Sequence, residues 1–74
     1  MHGFYLEILD TDIFVIGVEW FDSATYTVRE AAEKYATDTF GPVDIDRGDG
    51  DFVYTVRDLN NNPYGEVLAY VRLR

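Results

Sequence analysis

The chain has 74 residues, no cysteine, and 14 carboxylates against six basic side chains, a formal net charge of −8. That length allows one domain, residues 1–74, with a single small core, and the absence of cysteine excludes disulfide staples and thiolate chemistry. The acidity disfavours direct binding to nucleic acid or to an anionic membrane, because Lys and Arg supply most of such affinity.

Taken in chain order, residues 4–9 alternate Phe4, Leu6 and Ile8 against Tyr5, Glu7 and Leu9, a strand pattern. Asp10, Thr11 and Asp12 are turn formers, and residues 13–20 make a second β-branched and aromatic run. A three-residue turn would set Ile8 against Phe14, Leu6 against Ile16, and Phe4 against Val18. In that register all six share one apolar face, with Trp20 beyond them.

Residues 27–42 carry the one clear helix. Val28, Ala31, Ala32, Tyr35, Ala36 and Phe40 recur at spacings of three and four, while Arg29, Glu30, Glu33, Lys34, Thr37 and Asp38 fall opposite. Thr27 and Glu30 form a capping box, Glu30 and Lys34 are spaced for an ion pair, and Gly41-Pro42 ends the helix. Residues 43–51, VDIDRGDGD, predict a loop or exposed ribbon tip.

Two further strand-like runs, residues 52–59 and 66–73, flank a turn-rich linker at residues 60–65. Pairing Leu59 with Glu66 places Phe52 against Leu73, Tyr54 against Val71, and Val56 against Ala69. Val53, Thr55, Arg57, Leu68, Tyr70 and Arg72 then point the other way. The expected fold is α+β, in the order β-β-α-β-β: a four-stranded, mainly antiparallel sheet with one helix packed on one face. Strand orders 2-1-3-4 and 1-2-4-3 would both keep it wholly antiparallel. No apolar run approaches the ~20 residues that span a bilayer, and no basic region precedes the first one, so a soluble, cytoplasmic protein is expected.

One helix covers one sheet face only. The other would carry Tyr5, Leu9, Ile13, Val15, Val53, Leu68 and Tyr70 among Glu7, Glu19, Arg57 and Arg72, more apolar than an idle surface requires. Tyr26, Tyr64 and Tyr70 are candidate interface anchors.

Catalytic chemistry finds little support. His2 and Ser23 are the only histidine and serine, and neither has a partner motif for nucleophilic catalysis. Asp44, Asp46, Asp49 and Asp51 offer hard oxygen ligands, but their spacing departs from a calcium loop: position five from Asp44 is Gly48, and position twelve is Thr55. Arg47-Gly48-Asp49 spells an integrin-binding tripeptide, a match too short to carry weight. A non-enzymatic protein without cofactor or metal is expected.

The remaining signal is the acidic surface: Glu30, Glu33 and Asp38 on the helix exterior, then Asp44, Asp46, Asp49 and Asp51. A row of carboxylates can imitate a nucleic-acid backbone, which carries one charge per ~1.7 Å of duplex axis. In size, acidity and single-helix-on-sheet layout the chain resembles the small phage-encoded anti-CRISPR and anti-restriction inhibitors. That resemblance implies a DNA mimic that binds a basic nucleic-acid-handling protein, such as a CRISPR or other nuclease complex, in the host cytoplasm. It carries no residue motif. The alternative is a structural or assembly module that homodimerises through the uncovered sheet face.

Overall fold

Alternation of apolar and polar residues builds most of the sheet, and one alanine-rich helix seals a single face of it. The computed structural model describes residues 2–59 and 65–74, so the predicted linker at 60–65, with Tyr64, lies outside them apart from Gly65. The elements are β1 (Gly3–Leu9), β2 (Val15–Asp22), α1 (Val28–Phe40), β3 (Val43–Arg47), β4 (Tyr54–Asp58) and β5 (Val67–Leu73). They form a five-stranded antiparallel sheet in the order β2-β1-β5-β4-β3.

The class is α+β, with one strand more than the sequence suggests. The extra strand is β3, in the stretch expected to be a loop. Val43 and Ile45 turn inward and Asp44 and Asp46 outward, the period of an edge strand with one solvated face. Its partner is β4, with Ile45 opposite Val56. The order also differs from both expected ones, because β1 pairs with β5 through Leu6–Leu73 and Ile8–Val71. Between β4 and β5 the expected pairs Tyr54–Val71 and Val56–Ala69 form. A bulge after Val56 then shifts Arg57 onto Val67, and Leu68 packs toward the helix-side core instead of away from it.

Helix α1 follows its sequence closely. Ala31, Ala32 and Ala36 are fully buried, and Val28, Tyr35 and Phe40 pack around them. Short side chains bring the helix axis near the sheet, where Leu6, Ile8, Ile45, Val56, Ala69 and Val71 complete the core. Thr27 caps the helix: Glu30 N–H donates to Thr27 Oγ1 at 3.1 Å, and Thr27 N–H donates to Glu30 Oε1 at 3.0 Å. At the other end Gly41 adopts φ 84°, and its N–H donates to Thr37 O at 2.9 Å. The expected Glu30–Lys34 pair is absent because the cap engages Glu30. Lys34 bonds Asp38 at 3.0 Å, and Arg29 bonds Glu33 at 3.1 Å.

The capping box sets a pH dependence. Hydrogen bonds from the Thr27 backbone N–H, then from its hydroxyl, hold the Glu30 carboxyl below its ordinary pKa. A depressed carboxylate contributes stability above its unfolded pKa and loses it as pH falls through the folded value. Thr27→Ala should lower stability by about 1 kcal/mol, chiefly by removing the bond from Glu30 N–H to Thr27 Oγ1, which does not titrate. The pH-dependent part belongs to Glu30, so in thermal unfolding the deficit of Glu30→Gln against wild type should narrow from neutral to acid pH. A deficit that stays constant would mean that the ionised carboxyl is not what the cap holds.

The hairpin β1–β2 forms, but in a different register. Phe4 faces Phe21, Tyr5 faces Trp20, Leu6 faces Glu19, Glu7 faces Val18, and Ile8 faces Gly17. The turn is longer than three residues: Asp10 N–H donates to Phe14 O at 2.9 Å, and Asp10 Oδ1 accepts from Asp12 and Phe14 N–H. Ile13 absorbs the reversal at φ 68°, and a bulge between Ile8 and Leu9 sets Leu9 opposite Val15. The slip is odd in number, so it turns β2 over. Phe21 enters the core in place of Phe14, Ile16, Val18 and Trp20.

Packing against the helix explains the choice. Phe21 lies against the rings of Phe4, Tyr26 and Tyr35 at centroid distances of 6.1, 5.6 and 5.9 Å. Gly17 faces the Tyr35 hydroxyl, which would lie only 2.4 Å from a Cβ at that position. A side chain there would displace the tyrosine. Glu19 shares the helix side, and the Tyr35 hydroxyl has its pKa raised, first by burial and then by the charge of Glu19.

Candidate functional site

The sheet face away from the helix divides into three zones. On β2 and β1 it presents Val15, Val18, Trp20 and Tyr5, all exposed. In the middle, Leu9 is buried between its ladder neighbours Val15 and Tyr70, and Tyr70 stacks on Phe52 with centroids 4.6 Å apart. Glu7 is only 6% exposed there, its charge met by Arg72 Nη2 at 2.8 Å and Arg74 Nε at 3.6 Å. On β4 and β3 the face turns polar, with Thr55, Asp44, and the Arg57–Asp46 pair at 2.8 Å.

Most of the expected open face is found there: Tyr5, Leu9, Val15, Tyr70, Glu7, Arg57 and Arg72 lie on it. Glu19 and Leu68 are corrections, since both face the helix side. What sequence reasoning missed is the segment before and along β2. Phe14, assigned to the core, is 68% exposed, and Trp20 is 39% exposed, with Ile13, Ile16 and Val18 likewise open. One signal pointed that way. A glycine inside a strand marks a close approach, and Gly17 lies on the helix side.

The edges of the sheet differ in kind. The β3 edge alternates Asp44 and Asp46 with Ile45, a charged pattern that discourages strand addition. The β2 edge has no strand partner among the described residues, and residues 13–20 contain one charge, Glu19. Asp22 at its end and a bulge near Ile16 are its other protection, and Gly17 to Asp22 run regularly beyond the bulge.

The seven acidic residues do not form one row. Glu30, Glu33 and Asp38 lie on the helix exterior, and Asp44 and Asp46 point to the opposite face of the sheet, away from the side on which Ile45 meets the helix. Asp49 and Asp51 lie in the β3–β4 loop. Glu33, Asp38 and Asp46 are ion-paired and Glu30 is the cap partner, whereas Asp44, Asp49 and Asp51 form no ion pair among the described residues.

Compared with known protein families, curated proteins and solved structures, the chain matches none.

Among the described residues no group of three or more His, Cys, Asp or Glu is placed to hold a metal ion. Ser23 and His2 do meet, but through the backbone: Ser23 Oγ donates to the His2 carbonyl at 2.9 Å, which ties the start of β1 to the β2–α1 turn. Tyr26 packs against the core and Tyr70 on Phe52, so neither stands free as an anchor. No helix among the described residues is long and apolar enough to cross a membrane.

Proposed function

We propose that this protein is a non-enzymatic interaction module that docks through the apolar end of its open sheet face and the adjoining β2 edge. The observation that supports this is the concentration of exposed large apolar side chains. Among the described residues, six of the nine lie between Ile13 and Trp20, and three of these, Val15, Val18 and Trp20, share the open face with Tyr5. Contiguous apolar surface of this kind marks interfaces, whereas isolated exposed side chains are ordinary.

A second reading keeps the acidic surface as the contact, in an inhibitor of the anti-CRISPR or anti-restriction kind acting on a basic nucleic-acid-handling protein. The unpaired carboxylates of Asp44, Asp49 and Asp51 favour it, together with the net charge of −8. Its contact surface is the β3 end of the molecule, remote from β2.

One capture experiment separates the two. Wild type, Val18→Lys, and a variant with Asp44, Asp46, Asp49 and Asp51 all changed to Asn are immobilised and challenged with lysate over a salt gradient. Apolar docking predicts a partner retained at high salt, lost with Val18→Lys, and kept by the quadruple variant. Release by moderate salt, and loss only in the quadruple variant, would transfer the site to the acidic end.

A further inference from the structure

We infer that the occupant of the β2 edge is a second copy of this chain, paired antiparallel along β2 about a two-fold axis at Val18. The inference rests on the docking reading above and names its partner. An isologous contact needs a patch that complements itself, and β2 meets that condition in one register best. With the axis perpendicular to the sheet, opposed residues share a face, so the axis falls on a residue. At Val18, Ile16 opposes Trp20 of the other copy twice, Val18 opposes its own counterpart, and Gly17 opposes Glu19. An axis at Glu19 would set two carboxylates against each other, and one at Trp20 would set Asp22 against Val18 within the strand. The axis at Val18 instead sets Asp22 against Phe14, beyond the start of β2. Like charges directly opposite are unfavourable, whereas aromatic and β-branched pairs stabilise a ladder.

Charge distribution favours the same geometry. Across five strands spaced ~4.8 Å apart, β2 lies roughly 19 Å from β3, more than two screening lengths of ~8 Å at physiological salt. Two copies meeting at β2 therefore keep their β3 carboxylates far apart. Two copies meeting at β3 would oppose Asp44 and Asp46 to one another. Edge pairing of this kind buries less than the ~800 Å² per partner of a standard interface, because side chains on the open face stay in water, so the dimer is a weak one that dissociates on dilution. The product is a ten-stranded sheet with both helices on one side.

The test combines light scattering with crosslinking. Wild type should show twice the monomer mass at high protein concentration and fall to the monomer on dilution. Val18→Lys should remain monomeric throughout while its far-ultraviolet circular dichroism matches wild type. The buried carboxylate of Glu7, opposite position 18, makes a lysine tolerable there. The chain has no cysteine, so Val18→Cys gives one thiol per copy. Opposed Cα atoms in an antiparallel ladder are ~4.5 or ~5.5 Å apart, within the disulfide range. Mild oxidation should then give a covalent dimer, and Thr37→Cys on the helix exterior should not.

A wild-type monomer at every concentration overturns the inference, as does a dimer that survives Val18→Lys or fails to crosslink at position 18. If the wild type is monomeric and Val18→Lys still abolishes capture of a different protein, the docking reading stands and only the second copy is wrong.

Discussion

Phe21→Ala is expected to destabilise the protein by about 3–5 kcal/mol, while Phe14→Ala changes stability by less than about 0.5 kcal/mol. The two residues are seven apart on one hairpin, and the sequence pattern alone ranks Phe14 as the core member. Phe21 is 4% exposed and fills the space between Phe4, Tyr26 and Tyr35, so its removal leaves a cavity bordered by β1, α1 and the turn between β2 and α1. Phe14 stands in solvent, and truncating it removes little buried surface. At typical values per residue the whole domain has roughly 4–11 kcal/mol of stability, so the Phe21 variant should sit near the limit of folding. Urea unfolding in dilute solution, where self-association makes no contribution, measures both. Equal effects, or a larger one at Phe14, would restore the shorter turn and invert β2.

Gly48→Ala should cost about 2–3 kcal/mol, an effect out of proportion to one methyl group. The β3–β4 loop folds back tightly: Gly48 N–H donates to Val53 O at 2.8 Å, and Phe52 N–H donates to Asp49 O at 3.2 Å. A Cβ at Gly48 would lie 2.2 Å from the Phe52 carbonyl oxygen and 2.7 Å from the carbonyl carbons of Phe52 and Val53. All are backbone atoms, so no rotamer change relieves the clash. The loop must open, loosening the edge strand β3 and the stacking of Phe52 on Tyr70. Asp51→Ala, exposed in the same loop, is the control and should be nearly neutral. A neutral Gly48→Ala would mean that the loop is looser than its hydrogen bonds indicate.

The contrast between helix and hairpin shows which parts of this fold could be read from sequence. The cap, buried face and end of helix α1 could be read because their signals are local: the Thr27–Glu30 box, the alanine face and Gly41 each act within a turn or two. Only the Glu30–Lys34 pair could not, since the cap engages Glu30. The β4–β5 register could be read as far as Val56, where plain alternation holds. The β1–β2 register could not, because two arrangements both alternate and the choice lies in distant partners. Gly17 must admit Tyr35 from the helix, and Phe21 must reach Tyr26 and Tyr35. Strand β3 was hidden for the opposite reason. Its two aspartates resemble loop chemistry, yet they occupy the solvated side of an edge strand, and Ile45, with the partly buried Val43, anchors it in the core. The acidic residues illustrate a further limit. Proximity in sequence suggested one ridge, but strand alternation sends Asp44 and Asp46 to the face opposite the helix.

The docking surface is thus a consequence of register. If β2 were turned over, Phe14, Ile16 and Val18 would be core, and the open face would carry Ile13 and Val15 but neither Val18 nor Trp20. Cross-strand nuclear Overhauser contacts decide this directly, since opposed Cα atoms lie within ~5.5 Å in an antiparallel ladder. Backbone contacts of Glu7 with Val18 and of Tyr5 with Trp20 are expected from the observed register. Contacts of Leu6 with Ile16 and of Phe4 with Val18 would contradict it, and would take Val18 and Trp20 off the face on which the proposed interaction depends.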